Sequence, residues 1–251
     1  MKTVILGSGN VAYHLANALK NSNLKSKGIY ARNKKAAREI QEKTGLLSMD
    51  SLDQNADLYI ICVNDSSISS VSREITNPNA LVVHTSGSMP FNILEGRYRK
   101  GCLYPLQTFS KTKQLDYSKI PFFIESEKPK DLEIIQEIAE KISPFVQEAS
   151  FTKRKYIHLS AVFACNFTNH LITQSKHIAD SNEIPFEYFL PLIRETFEKI
   201  QHIDPKVAQT GPAVRNDKRV LEAHRELLTD SIQLEIYDTL NKAIATFYYL
   251  K

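Results

Sequence analysis

Gly7-Ser8-Gly9-Asn10-Val11-Ala12 follows the apolar run Thr3-Val4-Ile5-Leu6 and opens into His14-Leu15-Ala16-Asn17-Ala18-Leu19, which has helical spacing. Strand, glycine turn and helix in that order are the setting in which G-x-G-x-x-[GA] points to a bound dinucleotide. The first glycine permits a tight turn. The second lets the backbone approach a pyrophosphate with no Cβ between them, and the small Ala12 lets the helix pack close to its strand. Free N–H groups at the start of the helix then face the phosphates. On this reading Gly7, Ser8, Gly9, Asn10 and Val11 are cofactor neighbours. The plain alternative is a strand-to-helix turn without a ligand.

The next strand is expected around Gly28-Ile29-Tyr30-Ala31, and it ends in Arg32-Asn33-Lys34-Lys35 with Arg38 one turn later. A dinucleotide fold that selects NAD places Asp or Glu there for the ribose 2′-hydroxyl. A carboxylate would repel a 2′-phosphate, whereas a guanidinium grips it with paired donors. Arg32, Asn33 and Lys34 therefore favour NADP(H) over NAD. Read as structure alone, they are a solvated basic helix start.

A helix over Lys34–Lys43 and a short strand near Leu46-Leu47 come next. Ala56–Val63 reads as a strand buried on both faces, as in a parallel sheet. It stops at Asn64-Asp65-Ser66-Ser67, where Asp65 or Ser66 can cap a helix. Val63, Asn64 and Asp65 fall at the carboxyl edge of the sheet, where ligands of open α/β sheets bind. The strand Ala80–Thr85 ends in Ser86-Gly87-Ser88-Met89-Pro90, which brings His84 and two hydroxyls to the same edge. Such a turn can hold a carboxylate or an amide through its N–H groups, or can be an ordinary glycine turn. Strands at 101–106, 121–124 and 145–148, with a helix over 130–142, complete a doubly wound, mostly parallel α/β pattern over residues 1–150.

From 151 to 251 no run is strand-like. Residues 152–181 read as one long helix with an apolar stripe at Leu159, Val162, Phe163, Phe167 and Leu171. Further helices fit 186–202, 217–228 and 231–250, so the second half is a smaller all-α domain. His158 and Asn166 lie on one side of the long helix, and Asn166 falls in its stripe, where a side-chain amide needs partners. They are substrate-site candidates or, on the plain reading, a rim histidine and a buried structural asparagine. Thr210-Gly211-Pro212 forces a turn, after which Asn216 or Asp217 can cap a helix. Arg215 beside that turn can bind an anionic group or serve as a surface ion-pair partner.

At 251 residues, 42% hydrophobic and 24% charged, the chain can bury a sizeable core in one large or two ordinary domains. A net charge of +4 helps attract an anionic ligand but does not argue for nucleic acid. No apolar run approaches the roughly 18–20 residues of a membrane span, and the N-terminus enters a strand with no signal-peptide pattern. Cys62, Cys102 and Cys165 form no C-x-x-C pair and sit in apolar runs, as reduced core residues of a cytoplasmic protein do. The seven histidines lack H-E-x-x-H or similar spacing, so no metal site is expected.

In order along the chain, Gly7–Ala12, Asp57–Asp65, His84–Ser88, Tyr104-Pro105-Leu106-Gln107-Thr108-Phe109, His158-Leu159-Ser160-Ala161 through Asn166-Phe167, and Thr210-Gly211-Pro212 with Arg215 and Asp217 carry a family resemblance. The chain resembles two-domain bacterial proteins that join a Rossmann-like domain to a C-terminal domain of unknown function, often called NADP-dependent oxidoreductases. The resemblance implies a fold similar to pyrroline-5-carboxylate reductase, ketopantoate reductase and the β-hydroxyacid dehydrogenases, with a helical domain like that of 6-phosphogluconate dehydrogenase. It brings no substrate. Related helical domains often mediate dimers, which implies a homodimer. Two positions depart from pattern: Asn216 stands where glycine is expected, and Val162 stands where β-hydroxyacid dehydrogenases carry a catalytic lysine four residues before an asparagine.

The expectation is an NADP(H)-dependent oxidoreductase that transfers a hydride to or from a small C=O/C–OH or C=N/C–N substrate bound between the domains. His158 is the first proton donor, its ordinary pKa lying near neutrality, and His84 is the reserve acid. Asn166 orients the substrate, Ser86, Gly87 and Ser88 hold substrate or nicotinamide, and Arg215 takes an anionic group. The alternative, to which the missing lysine lends weight, is a dinucleotide-binding sensor without turnover.

Overall fold

A computed structural model of the chain describes residues 1–21 and 26–249. It divides into two compact units, Met1–Asn166 and Phe167–Lys251. Strand character ends near residue 150, but the first unit runs on through the following helix.

The first unit holds strands β1 (Thr3–Leu6), β2 (Ser26–Tyr30), β3 (Ser48–Met49), β4 (Leu58–Ile61), β5 (Leu81–His84), β6 (Arg99–Pro105), β7 (Phe122–Ser126) and β8 (Val146–Glu148). They form one sheet of order β3-β2-β1-β4-β5-β6-β7-β8. Every neighbouring pair is parallel except β6 and β7. Its helices are α1 (Asn10–Asn21), α2 (Lys34–Thr44), α3 (Asp65–Ser72), α4 (Pro129–Glu140) and α5 (Phe151–Ala161). The chain winds outward from β1 to β3, then returns to β4 on the other side of β1. The switch point therefore lies between β1 and β4, where open sheets of this kind bind ligands beyond the strand ends.

Successive strand residues point to opposite faces, and here both faces are covered. Ile5, Leu58, Ile60, Leu81 and Val83 join a cluster with Leu15 of α1, Ile40 of α2 and Ile135 of α4. Val4, Leu6, Tyr59, Ile61 and Val82 join the other, with Ile68 and Val71 of α3. Burial on two sides is why β1, β4 and β5 read as unbroken apolar runs.

Some local expectations change. The strand expected at Leu46-Leu47 lies at Ser48–Met49. Gly45 ends α2 in a left-handed conformation, φ 73°, and Thr44 Oγ1 takes the Leu46 amide, so parallel pairing begins with Ser48 opposite Ile29. Neither Asp65 nor Ser66 caps α3. Asn64 occupies the cap position without a side-chain bond, and the Asp65 carboxylate accepts a hydrogen bond from the Ser88 hydroxyl.

The long helix expected over 152–181 is interrupted. A π-helical turn, Val162–Phe167, separates α5 from α6 (Thr168–Ser181). Apolar spacing does not reveal a π turn, which changes the hydrogen-bond step to i→i+5 and is frequent at functional sites. The stripe is not buried within the chain: Leu159, Phe163, Phe167 and Leu171 are 49%, 63%, 49% and 38% exposed. Asn166, expected in a buried stripe, is exposed with them.

In the second unit α6 is followed by α7 (Leu190–Lys199), α8 (Pro205–Ala208), α9 (Lys218–Leu227) and α10 (Ser231–Tyr249). The described part of this unit contains no strand. A 3₁₀ turn, Phe186–Phe189, precedes α7, so the helix expected over 186–202 starts later. Pro191 lies in its first turn, where a missing N–H costs nothing. The short α8, capped by Asp204, has no counterpart in the sequence reading. Leu250, the expected end of the last helix, lies outside the described residues. Gly211 at φ 113° and Asn216 at φ 53° bracket the Gly-Pro turn, so Asn216 takes the left-handed backbone that the family's glycine would. Among the described residues no helix is long and apolar enough to cross a membrane.

Candidate functional site

The glycine turn leaves the carboxyl end of β1 and folds against β4. Gly7 donates its N–H to the Tyr30 carbonyl at 2.8 Å and holds φ 125°, and a Cβ there would lie 2.2 Å from the Cys62 carbonyl oxygen. Gly9 differs, for a Cβ there would meet nothing within 4 Å. Gly7 is thus required by the protein's own packing, while Gly9 leaves space beside the turn.

That space belongs to a cleft of about 410 Å³. Of the expected cofactor neighbours, Gly7, Ser8, Gly9, Arg32, Asn33, Val63 and Asn64 line it. Arg32 is exposed, and Asn33 also caps α2 by accepting from the Ala36 amide. The remaining four are engaged elsewhere. Asn10 Nδ2 donates to the Phe109 carbonyl at 2.8 Å, and Val11 packs on the core. Lys34 Nζ donates to the Met49 and Asp50 carbonyls at 3.0 and 2.8 Å, and Asp65 holds Ser88.

At the end of β5, His84 is fully buried. Its Nδ1 accepts from the Ser86 amide at 3.1 Å, and Nε2 makes no hydrogen bond of acceptable geometry. Burial, reinforced by the Arg154 guanidinium, pushes its pKa down to about 4. A neutral imidazole with no exposed surface shapes the turn and is poorly placed to donate a proton to a ligand. Ser86 and Ser88 hydroxyls lie 3.2 Å apart. Gly87 is pressed against the next layer, since a Cβ there would approach the Tyr104 ring to 2.6 Å and His158 Cβ to 3.0 Å.

That layer is a tyrosine–histidine pair. Tyr104, near the end of β6, sets its hydroxyl 3.1 Å from His158 Nδ1, with the rings edge to face at 6.0 Å. Burial pushes the Tyr104 hydroxyl up to about 12. Both residues line a second cleft of about 840 Å³, together with Asn166, Val162, Cys165 and Gln107. All of its lining residues belong to the first unit. Cys165, expected in a core, is half-buried and faces this cleft, whereas Cys62 and Cys102 are buried. Arg215 is exposed in the second unit.

His158 is positioned by the start of α5. Ser150 caps the helix, accepting from the Lys153 amide. The Glu125 carboxylate, on β7, accepts from the Phe151 amide at 2.8 Å and from Arg154 Nη1 at 2.5 Å. Arg154 is fully buried, and its Nη2 donates to the Met89 carbonyl at 2.7 Å. One guanidinium therefore ties α5 to β7 and to the turn that contains Ser86–Ser88.

In the sequence Tyr104 stands within the motif Tyr104–Phe109 without a role of its own. The available signal was its position at the end of a strand on the ligand edge of the sheet. Nothing comparable marked Arg154, because an arginine in a Lys-Arg-Lys run reads as surface.

The cleft fits a dinucleotide on three observations: the open face at Gly9, the amides at the start of α1, and an exposed guanidinium at the end of β2. Fold and site together define a Rossmann-like α/β domain followed by a helical domain. Residues 1–109 match the Rossmann-like domain and residues 120–244 match a domain of unknown function, DUF2520. The chain belongs to the family of proteins that join these two domains.

It is 37% identical to a Bacteroides fragilis protein named as a "putative NADP oxidoreductase", with a TM-score of 0.92 over 97% of each chain. A Thermotoga maritima protein is 25% identical, with a TM-score of 0.74 over 98% of each. An imine reductase from Myxococcus stipitatus, solved with NADP+, is 15% identical, with a TM-score of 0.64 over 98% of this chain and 92% of that one. The last likeness is one of fold alone. No curated protein matches the chain.

Proposed function

We propose that this protein is an NADP(H)-dependent oxidoreductase acting on a small C=O/C–OH or C=N/C–N substrate. The observation that carries the reading is the Tyr104–His158 pair, which lines its own cleft near the ligand edge of a sheet whose glycine turn has an open face at Gly9. The name of the Bacteroides fragilis relative supports the same class.

The glycine turn would hold the pyrophosphate through backbone N–H groups, and Arg32 would hold a 2′-phosphate. A nicotinamide cofactor supplies or accepts the hydride when bound. The protein's part is the proton. Tyr104, its hydroxyl kept protonated by burial, donates to His158 Nδ1. His158 then carries its own proton on Nε2, the nitrogen left to serve the second cleft. Asn166, on the π turn, orients the substrate through its amide. His84 holds the Ser86 turn in place.

One set of measurements tests the reading. NADPH oxidation is followed with a panel of keto acids and cyclic imines. His158→Ala should lower turnover by roughly 10²–10⁴-fold while leaving NADPH affinity nearly unchanged; full activity in that variant would remove His158 from the mechanism. Wild type should prefer NADPH to NADH, and Arg32→Asp should abolish that preference; equal binding of both by the wild type would sink the role given to Arg32. A second reading, a sensor that binds without turnover, is favoured by Val162, an apolar side chain in the cleft where a related catalytic lysine would stand. Tight binding with no oxidation by any substrate would select it.

We infer also that the apolar residues exposed along α5 and α6 are covered in a homodimer, since patches of this kind mark interaction surfaces. Sedimentation should give twice the chain mass; a monomer at micromolar concentration would refute this.

A further inference from the structure

Residues 106–121 connect β6 to β7, and the middle of that connection is fastened to the glycine turn. Asn10 Nδ2 donates to the Phe109 carbonyl at 2.8 Å. His14, only 1% exposed, donates from Nε2 to the Ser110 carbonyl at 2.9 Å and pairs Nδ1 with the Tyr117 hydroxyl at 3.1 Å. Its ring lies 5.1 Å from that of Phe109. The next residue, Lys111, places Nζ 3.0 Å from the carbonyl oxygen of Ser8, within the turn that lines the first cleft.

We propose that Lys111 is a further cofactor-binding residue, its ammonium gripping the pyrophosphate of a dinucleotide held on the glycine turn. This rests on the dinucleotide reading above. Residues 7–12 contain no cation, and the start of α1 offers only partial charges from its N–H groups. A pyrophosphate carries full charges, and its partner must come from elsewhere in the fold. An ammonium has three donors. Ser8 takes one, and among the described residues Lys111 has neither a second hydrogen bond nor a carboxylate partner. Ordering a lysine side chain costs rotamer freedom that one carbonyl bond scarcely offsets; an anion at the turn supplies what is missing. Asn10 and His14 explain how a residue so distant in sequence is held there.

The test is calorimetric titration of wild type, Lys111→Met, Lys111→Arg and Arg32→Ala with NADPH and with adenosine 2′-monophosphate, which lacks the pyrophosphate. Lys111→Met should bind NADPH at least about tenfold more weakly, with a shallower salt dependence and unchanged affinity for adenosine 2′-monophosphate. Lys111→Arg should recover most of the loss, and Arg32→Ala should weaken both ligands. Wild-type NADPH affinity in Lys111→Met would overturn the proposal while leaving the dinucleotide reading intact. So would loss of both ligands together with a lowered melting temperature, which would make Lys111 structural. A wild type that binds neither NADPH nor NADH would end both.

Discussion

Arg154→Met is expected to destabilise the first unit by about 3–5 kcal/mol, the range found when one member of a buried ion pair is removed. Arg154 is fully buried and Glu125 is 15% exposed on its side chain. Methionine fills much of the volume but leaves the carboxylate in low dielectric with, among the described residues, the Phe151 amide as its remaining hydrogen-bond donor. The Met89 and Ala149 carbonyls lose their guanidinium donor as well. A surface pair such as Lys176–Asp180, half-exposed on both sides, would cost at most about 1 kcal/mol; burial makes the difference. Urea unfolding measures the loss as a lowered midpoint, and a value within 1 kcal/mol of wild type would show that the pair does not hold α5. Glu125→Gln should also destabilise the unit, since it strands the buried guanidinium. Because α5 carries His158 one turn beyond Arg154, turnover should fall in both variants even below their melting temperatures.

Gly7→Ala and Gly9→Ala should separate two effects that the motif writes with the same letter. At Gly7 an added methyl meets the Cys62 carbonyl, a backbone atom that cannot rotate away, and the φ of 125° is strained for any side chain. Strain of about 1–3 kcal/mol adds to overpacking of about 1–3 kcal/mol, so Gly7→Ala should unfold at markedly lower temperature and bind no dinucleotide. Gly9→Ala meets no protein atom within 4 Å. It should fold like the wild type yet bind NADPH at least tenfold more weakly, because its methyl occupies the space a pyrophosphate would approach. Equal stability of the two variants would contradict the packing described for Gly7. Unchanged NADPH affinity in Gly9→Ala would remove the glycine turn from the binding site.

Most of the first unit was legible in the sequence. Strands buried on both faces appear as continuous apolar runs: Thr3–Leu6 is a strand over the residues expected, whereas the run Ala56–Val63 pairs as a strand only over its middle, Leu58–Ile61. The helical second half was legible in kind. It was less so in detail, because the π turn at Val162–Phe167 and the 3₁₀ turn at Phe186–Phe189 alter hydrogen-bond steps without interrupting the apolar pattern. The stripe from Leu159 to Leu171 reads as a face that avoids water. Spacing cannot tell whether such a face is covered by its own chain or by another.

The residues alone dictate a strand, a glycine turn and a helix over the first twenty positions, a basic cluster rather than a carboxylate after β2, and a change from strands to helices near residue 150. These are local properties, set by backbone sterics and by which side chains alternate with what period. Packing, by contrast, is what makes Tyr104 meet His158 across 54 residues, seals His84 away beneath the turn it shapes, turns Arg154 into a buried tie, and lets Lys111 reach back to Ser8 across 103 residues. Each depends on which surfaces the packed sheet brings together and on how completely water is excluded there. Burial sets the charge state of an imidazole and the cost of breaking an ion pair, and no window of sequence reports it.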